Sequence, residues 1–377
     1  MRHTTLPFVL LASLLLTACS TGASAPPTPI SAAVRPNAPF LLKGVSDLKQ
    51  VARLIGADSI NKTDRYAVAG ADLGSMINLG DKTYFIFGDT FGKRDANMTG
   101  GGGTDWRSNV MAVSSDIEPS DGITFDRFIA DGSNHANELI TSAKVDNQEI
   151  TRVPTHGVAV GSNMYLYFMS VNHWGAAGVW YANYSGVGKS TDGGEHWQVI
   201  PGLQWPGDGN FIQVSPFKIK NTDGSVDIYF WAIPAGRFGP AKLMKVAETQ
   251  IEQLSSYRYY AGSRADGTPI WSPDMNKAAV VVNDTVGELS VIWDSYLDHW
   301  IMTYLRGGGN VVIREGINPW GPWGEPIDLV TQAGFPGLYA PFMNPKFVED
   351  DGHTIYFCLS QWGPYAVYWM KATLTKN

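Results

Sequence analysis

From residue 40 onward, short apolar runs alternate with clusters of Gly, Pro, Asn and Asp, and few stretches carry the period of a helix. That pattern predicts an all-β chain. Only "VSDLKQVARLIG", 45–56, and "AETQIEQLSSY", 247–257, space their apolar residues as helices would. One three-strand pattern recurs five times: an opening strand that starts on polar residues, a turn to a strongly apolar strand, and a third strand ending in charged or turn residues. The openings are "AGADLGSMI", "PTHGVAVG", "FIQVSPFKI", "GELSVIWD" and "YAPFMNPKF"; the apolar strands include "KTYFIF", "NMYLYFMSV", "DIYFWAI", "HWIMTYL" and "TIYFCLSQW". Such repetition predicts a five-bladed β-propeller over 41–377, with each opening strand innermost around a central channel. A β-sandwich with insertions is the competing architecture. "STDGGEHW", Ser190 to Trp197, fits the Asp-box pattern S-x-D-x-G-x-x-W, a structural turn between outer propeller strands.

The first opening strand carries the candidate chemistry. In "GADLGSMINLGDKTYFIFGDTFG" two strands fold about Gly80 and Asp81, a pair suited to a tight hairpin turn. An unbulged hairpin about that turn sets Asp72 directly opposite Asp89, although opposed like charges destabilise a strand pair. A single Asp there reads as a turn cap; two in register ask for a function. Opposed Cβ atoms lie about 4.5–5.5 Å apart, a spacing that suits retaining glycoside hydrolysis by paired carboxylates.

Composition and the N-terminus narrow the setting. "MRHTTLPFVLLASLLLTACS" has a basic residue, an apolar run too short to remain as a membrane span, and small residues before Cys19. It predicts a lipoprotein signal over 1–18, a lipidated Cys19, and a Pro/Ala/Ser-rich tether over 19–40. The expected location is the bacterial cell envelope, at the outer membrane in a Gram-negative host because Ser20 replaces the Asp of inner-membrane retention. Loss of the leader removes Arg2 and takes the formal charge from -7 to -8. An acidic chain without a basic cluster excludes nucleic acid as a partner. Cys358 then stands alone in an apolar strand, with no disulfide framework. The expected partners are a polysaccharide and, through the lipid only, a membrane; the chain itself reads as a monomer.

If the opening strands line one channel, their first polar residues converge on a rim. That rim would hold Asp72, His156, Asn210, Gln213, Glu288, Tyr339 and Asn344, with Asp89 joining from the next strand. Trp106, Trp174, Trp271 and Trp362 are candidate sugar-stacking faces, and Arg107, Asn109 and Arg237 candidate substrate contacts. For each there is a plainer alternative: blade packing for Trp, a satisfied structural imidazole for His156, and a buried ion pair between blades for Arg. No phosphate loop, HExxH, CxxC or GxSxG is present. No metal or other cofactor is predicted: channel-bound calcium would suit an acidic rim, but no oxygen-rich loop of recognisable spacing supports it.

"GADLG…FGDTFG", "RSNVMAVSSD", "GRFGPAKLMKV", "GELSVIWDSYLDHWIMTYL", "NPWGPWGEPIDL" and "LYAPFMNPKF…LSQWGPYAVYWMKA", taken in order, resemble the bacterial endo-D-arabinanase glycoside hydrolases, a family long catalogued as a domain of unknown function. The resemblance covers nearly all of 45–375. It implies a five-bladed propeller and anomer-retaining endo-hydrolysis of α-D-arabinofuranosidic bonds, as in mycobacterial arabinogalactan and lipoarabinomannan. Its two catalytic aspartates fall on Asp72 and Asp89, with Asp72 as nucleophile and Asp89 as acid/base, or the roles exchanged. The lipoprotein signal departs from that picture and would place the chain at its own envelope. Two other readings stand beside it: a non-catalytic glycan-binding propeller, and a sialidase-like enzyme suggested by the Asp box but lacking arginines in the blade openings.

Overall fold

The computed structural model describes Met1, residues 34–35 and residues 38–377. The predicted signal peptide beyond Met1, Cys19 and most of the tether lie outside the described residues. Regular structure among those residues consists of strands and short 3-10 turns, with no α-helix. After β1 (Leu42–Arg53), the hairpin of β2 (Leu73–Leu79) and β3 (Lys82–Phe87) is followed by a separate hairpin, β4 (Thr90–Lys93) and β5 (Thr104–Arg107). β6 (Val110–Ser114) and β7 (Arg127–Phe128) complete the sheet order β2-β3-β6-β7. The next sheet runs β8 (Thr151–Val160), β9 (Asn163–Trp174), β10 (Trp180–Ser190) and β11 (Gln198–Pro206). β12 (Gln213–Lys220), β13 (Val226–Ile233) and β14 (Gly239–Ala247) follow, with β15 (Arg258–Ser263) and β16 (Pro269–Ser272) added at the β14 edge. β14 also pairs with β17 (Val280–Asp294), which continues through β18 (His299–Arg306), β19 (Val311–Gly316) and β20 (Ile327–Val330). The last sheet is β21 (Leu338–Glu349), β22 (Thr354–Gln361) and β23 (Ala366–Lys376), with β1 on its outer edge.

The innermost strands close a ring. β2 packs on β8, β8 on β12, β12 on β17, β17 on β21, and β21 back on β2. This is the all-β, propeller-type architecture that the repeat predicts, and each opening strand of the repeat is an inner strand. The apolar second strands are explained by burial on both faces. In β13, Ile228, Phe230 and Ala232 pack toward the sheet of β8–β11, while Tyr229, Trp231 and Ile233 pack toward that of β17–β20. In β3, Tyr84 and Ile86 face the β8–β11 sheet, and Phe85 and Phe87 join the core shared with β21–β23. The Asp box forms the β10–β11 turn, where Ser190 Oγ donates to Asp192 Oδ1 at 2.8 Å and Trp197 Nε1 to the Gly194 carbonyl at 2.9 Å.

Both helical expectations fail. Residues 45–56 are mostly β1, because the outer edge of β23 offers unpaired backbone groups that this segment satisfies. Its irregular apolar spacing matches two register shifts, at Ser46/Lys49 and Gln50/Ala52, rather than helical turns. Its start is anchored by the buried Glu315, whose Oε2 accepts the amides of Leu41 and Leu42 at 2.9 and 2.8 Å. Residues 247–257 form two single 3-10 turns, Glu248–Gln250 and Leu254–Ser256, on the way to β15.

The direct opposition of Asp72 and Asp89 also fails. From Leu79–Lys82 to Ser75–Ile86 the register is that of the expected hairpin, but it shifts between Leu73 and Ser75, so that Leu73 pairs with Phe87. Asp72 consequently faces Gly88, whose amide donates to the Asp72 carbonyl at 3.1 Å. The shift is made by Leu73 at φ 68° and Gly74 at φ 99°. Gly74→Ala should therefore cost about 2 kcal/mol or more, since the new Cβ would sit 3.1 Å from Cys358 Sγ in addition to the backbone strain. Gly80→Ala, at φ 62° with no neighbouring atom within 4 Å, should cost only about 1 kcal/mol; urea denaturation of the two variants tests the difference.

Candidate active site

One cavity of about 840 Å³ opens at the end of the inner-strand ring where Asp72 and Asp89 lie. Asp72 is fixed at the seam between the first and last sheets. The Leu73 amide donates to Ser360 Oγ at 2.8 Å and the Ala71 amide to the Tyr365 carbonyl at 3.2 Å. Its Oδ2 accepts the Tyr339 hydroxyl at 2.9 Å, while its Oδ1 is buried without a partner. That oxygen lies over Gly88, where a Cβ would collide with it. Asp89 follows the end of β3, at the point where the chain leaves the sheet for the β4–β5 hairpin. The pairing of Phe91 with Trp106 in that hairpin returns the indole to Asp89, whose Oδ1 accepts Trp106 Nε1 at 2.9 Å and Thr151 Oγ1 at 2.5 Å.

Both carboxyls hold protons more tightly than usual. Burial pushes Asp72 up to about 7, and the charge of Asp89 acts in the same direction, against the Tyr339 hydrogen bond. Asp89 is pushed up to about 6, also by burial, with the Thr151 and Trp106 hydrogen bonds holding it down. The pair is thus poised to carry one proton near neutral pH. Arg237 does little to offset this, because its Nε and Nη2 are committed to Glu288 Oε1 at 2.9 and 2.7 Å. Its guanidinium also lies over the Tyr339 ring, 4.9 Å from the centroid.

The cavity brings together Asp72, Asp89, Gln213, Arg237, Glu288 and Tyr339, with Trp106, Trp174 and Trp362 on its walls and lips. The glycine loop of "TGGGGTDW" reaches it at Gly101. The other expected site residues are structural. Arg107 is buried, donating to the Ala136 carbonyl at 2.9 Å and to that of Ala67. Asn109 donates to the Ile140 and Arg152 carbonyls at 3.0 and 2.8 Å. His156 is buried edge-on to Phe342 and takes the Gly157 amide on Nδ1 at 2.9 Å; burial pushes its imidazole down to about 4, leaving it neutral. Asn210 ties down the Ala232 carbonyl at 3.0 Å. Asn344 makes a reciprocal amide pair with Asn78, at 2.9 and 3.0 Å, joining β21 to β2 away from the carboxylates. Trp271 packs on Tyr229 and Tyr260 near the outer strands. Of these polar side chains, Arg107, Asn109 and Asn210 satisfy backbone carbonyls, His156 a backbone amide and Asn344 a side-chain amide.

Residues 58–371 match the family described as Domain of unknown function (DUF4185). The chain belongs to that family. It is 27% identical over 332 residues to the "Notoamide biosynthesis cluster protein J" of Aspergillus sp. (strain MF297-2), covering 82% of this chain and 84% of that protein. A protein of known structure from Bacteroides ovatus ATCC 8483 shares the fold at a TM-score of 0.57 and 12% identity, over 82% of this chain and 87% of that one. Zg3597, a family 117 glycoside hydrolase of Zobellia galactanivorans, aligns at a TM-score of 0.49 and 12% identity, over 88% and 91% of the two chains.

Three site features of this DUF4185 chain were not read from its sequence. Tyr365, at φ 49° in the β22–β23 turn, lies beside Asp72; an aromatic directly after Gly363-Pro364 in a turn is the signal that marks it. Thr151 starts β8 ahead of Pro154, where the repeat motif opens, so the motif does not mark it as a rim residue. The sequence marks Trp106 as a sugar-stacking face or blade packing, whereas its indole N–H holds Asp89. The proton affinity of Asp72 has a measurable consequence. Its folded pKa lies above the unfolded value, so its contribution to stability is lost as pH rises from about 4 to 7. Asp72→Asn should therefore be near neutral for stability at pH 4 and stabilising by about 1–3 kcal/mol at pH 8. Asp294, also pushed up to about 7, leaves a residual slope in the variant when thermal or urea unfolding is measured against pH.

Proposed function

We propose that the chain is a glycoside hydrolase, acting on internal α-D-arabinofuranosidic bonds of D-arabinan with Asp72 and Asp89 as its carboxylate pair. The observation that carries this reading is two protonatable carboxyls, held by different hydrogen-bond donors, facing one aromatic-lined cavity. Glycosidic cleavage needs one carboxyl that arrives protonated to release the leaving oxygen and another that arrives ionised to support the oxocarbenium-like centre. The unequal environments supply that asymmetry. Trp174 and Trp362, both exposed on the cavity lips, offer faces for sugar rings on either side of the cleaved bond. The arabinan preference and the retaining outcome come from the sequence resemblance, since the register shift removes the direct cross-strand spacing argument. The Cys19 lipid would hold this hydrolase at the envelope surface.

The unequal donor sets favour the exchanged roles: Asp72, with one hydroxyl donor, as acid/base, and Asp89, held by two donors, as nucleophile. Azide rescue of glycine variants separates the two. A nucleophile variant yields the glycosyl azide of inverted configuration, and an acid/base variant the retained one.

The first test is digestion of purified D-arabinan by the detergent-solubilised full chain, with product sizing. Asp72→Asn and Asp89→Asn should each lose about 10³-fold or more in kcat/KM while unfolding cooperatively like the wild type. Wild-type activity should be bell-shaped with a maximum between about pH 6 and 7. Undiminished cleavage by either variant would remove that residue from the mechanism. Binding of the polymer without cleavage would instead point to a glycan-binding propeller.

A further inference from the structure

The chain running from β7 into the start of β8 approaches Asp89 at more than Thr151. Lys144, in the same segment, sits at φ 58°, a backbone region disfavoured for a residue with a Cβ. Its ammonium lies 4.6 Å from the centroid of the Trp106 ring. It also donates to Glu138 Oε1 at 2.5 Å, Ser108 Oγ at 2.6 Å and Ser142 Oγ at 3.2 Å. The edge of that same indole donates to Asp89 at 2.9 Å. A cation is therefore seated on the face of the ring whose N–H holds a cavity carboxylate. Such a cation withdraws π density and makes the N–H a stronger donor to an ionised acceptor. Asn109 fixes the arrangement, since its amide spans the carbonyls of Ile140 and Arg152 on the two sides of Lys144.

We propose that Lys144, seated on Trp106, is a positioning residue that keeps Asp89 ionised and in its hydrogen-bonded orientation, with Glu138 setting how much of that charge Asp89 feels. Lys144 favours the ionised form of Asp89 and Glu138 opposes it. Asp72, Glu288, Arg237, Tyr339 and Tyr365 are the other titratable groups on the cavity side. The consequence for turnover rests on the hydrolase reading given above; the charge device itself does not.

The test is a pH titration of the full chain carrying ¹³C-carboxyl aspartate, followed by NMR, with the Asp89 signal assigned by its loss in Asp89→Asn. Lys144→Met should raise the Asp89 midpoint by about half a unit to one unit, because it removes the cation and leaves Glu138 uncompensated. Glu138→Gln, which keeps an oxygen for the Ser108 amide, should lower it. Lys144→Arg should stay within about 0.2 units of wild type. A merely structural ion pair would move Lys144→Met and Glu138→Gln in the same direction or not at all, and either result overturns the proposal. If Lys144→Met does not fold, the Glu138→Gln and Lys144→Arg titrations decide it: Glu138→Gln must lower the midpoint, and failure to do so overturns the proposal. In parallel, the limb of the kcat profile assigned to Asp89 should move with the NMR midpoint at unchanged KM. A wild-type chain inactive on D-arabinan would sink the hydrolase reading and leave the titration free to decide this one.

Discussion

Among the described residues, the central sheets have two apolar faces, and these are covered chiefly by the sheets before and after them. The alternation along β13, with one set of side chains toward β8–β11 and the other toward β17–β20, is that constraint at a single strand. Burial at roughly 25 cal/mol per Å² makes sheet-on-sheet packing the dominant favourable term. A linear stack would leave its two end faces in water, so the chain closes on itself. Closure places β2 against β21 and brings β1, from the opposite end of the chain, onto the edge of β23. The Glu315 carboxylate, buried and accepting the amides that lead into β1, is the polar part of that closure.

The cavity is a consequence of the same closure. Inner strands that converge at their starts cannot fill the space between them with side chains of ordinary size. What faces that space is fixed by local departures from regular structure. Leu73, Ala340 and Tyr365 each adopt positive φ without being glycine, and they adjoin or supply the groups around Asp72. Strain of this kind persists only where surrounding contacts over-determine it. Here the Ser360 hydroxyl and the Tyr365 carbonyl fix the backbone on either side of Asp72. The electrostatics follow the same logic: Arg237 is paired with Glu288, so the guanidinium does little to offset the burial of Asp72 beside Asp89, and the Tyr339 hydrogen bond opposes that burial only in part.

Much of this was legible in the chain. The fivefold strand pattern and the Asp box specify a propeller-type fold because a strand buried on both faces must be apolar throughout, and the sequence records that directly. The paired aspartates of the first hairpin were legible for the same local reason, as charges where a strand pair should have none. Their direct opposition was not, because a single shift at Leu73–Gly74 changes which residues face each other, and that shift is held by Ser360 and Cys358 from the last sheet. The split of the rim residues was equally hidden. Gln213 and Tyr339 reach the cavity, whereas Asn210 is spent on the Ala232 carbonyl of its own sheet, Asn344 on the Asn78 amide of the first sheet, and His156 packs edge-on to Phe342 of the last. Residues 45–56 read as a helix in isolation and became an edge strand because β23 lacked a partner. Sequence alone therefore determined the apolar inner strands of the sheets and marked the two aspartates that face one cavity, both being matters of local composition. Tertiary structure decided which polar groups meet across the ring, because those meetings join residues hundreds of positions apart that no local pattern relates.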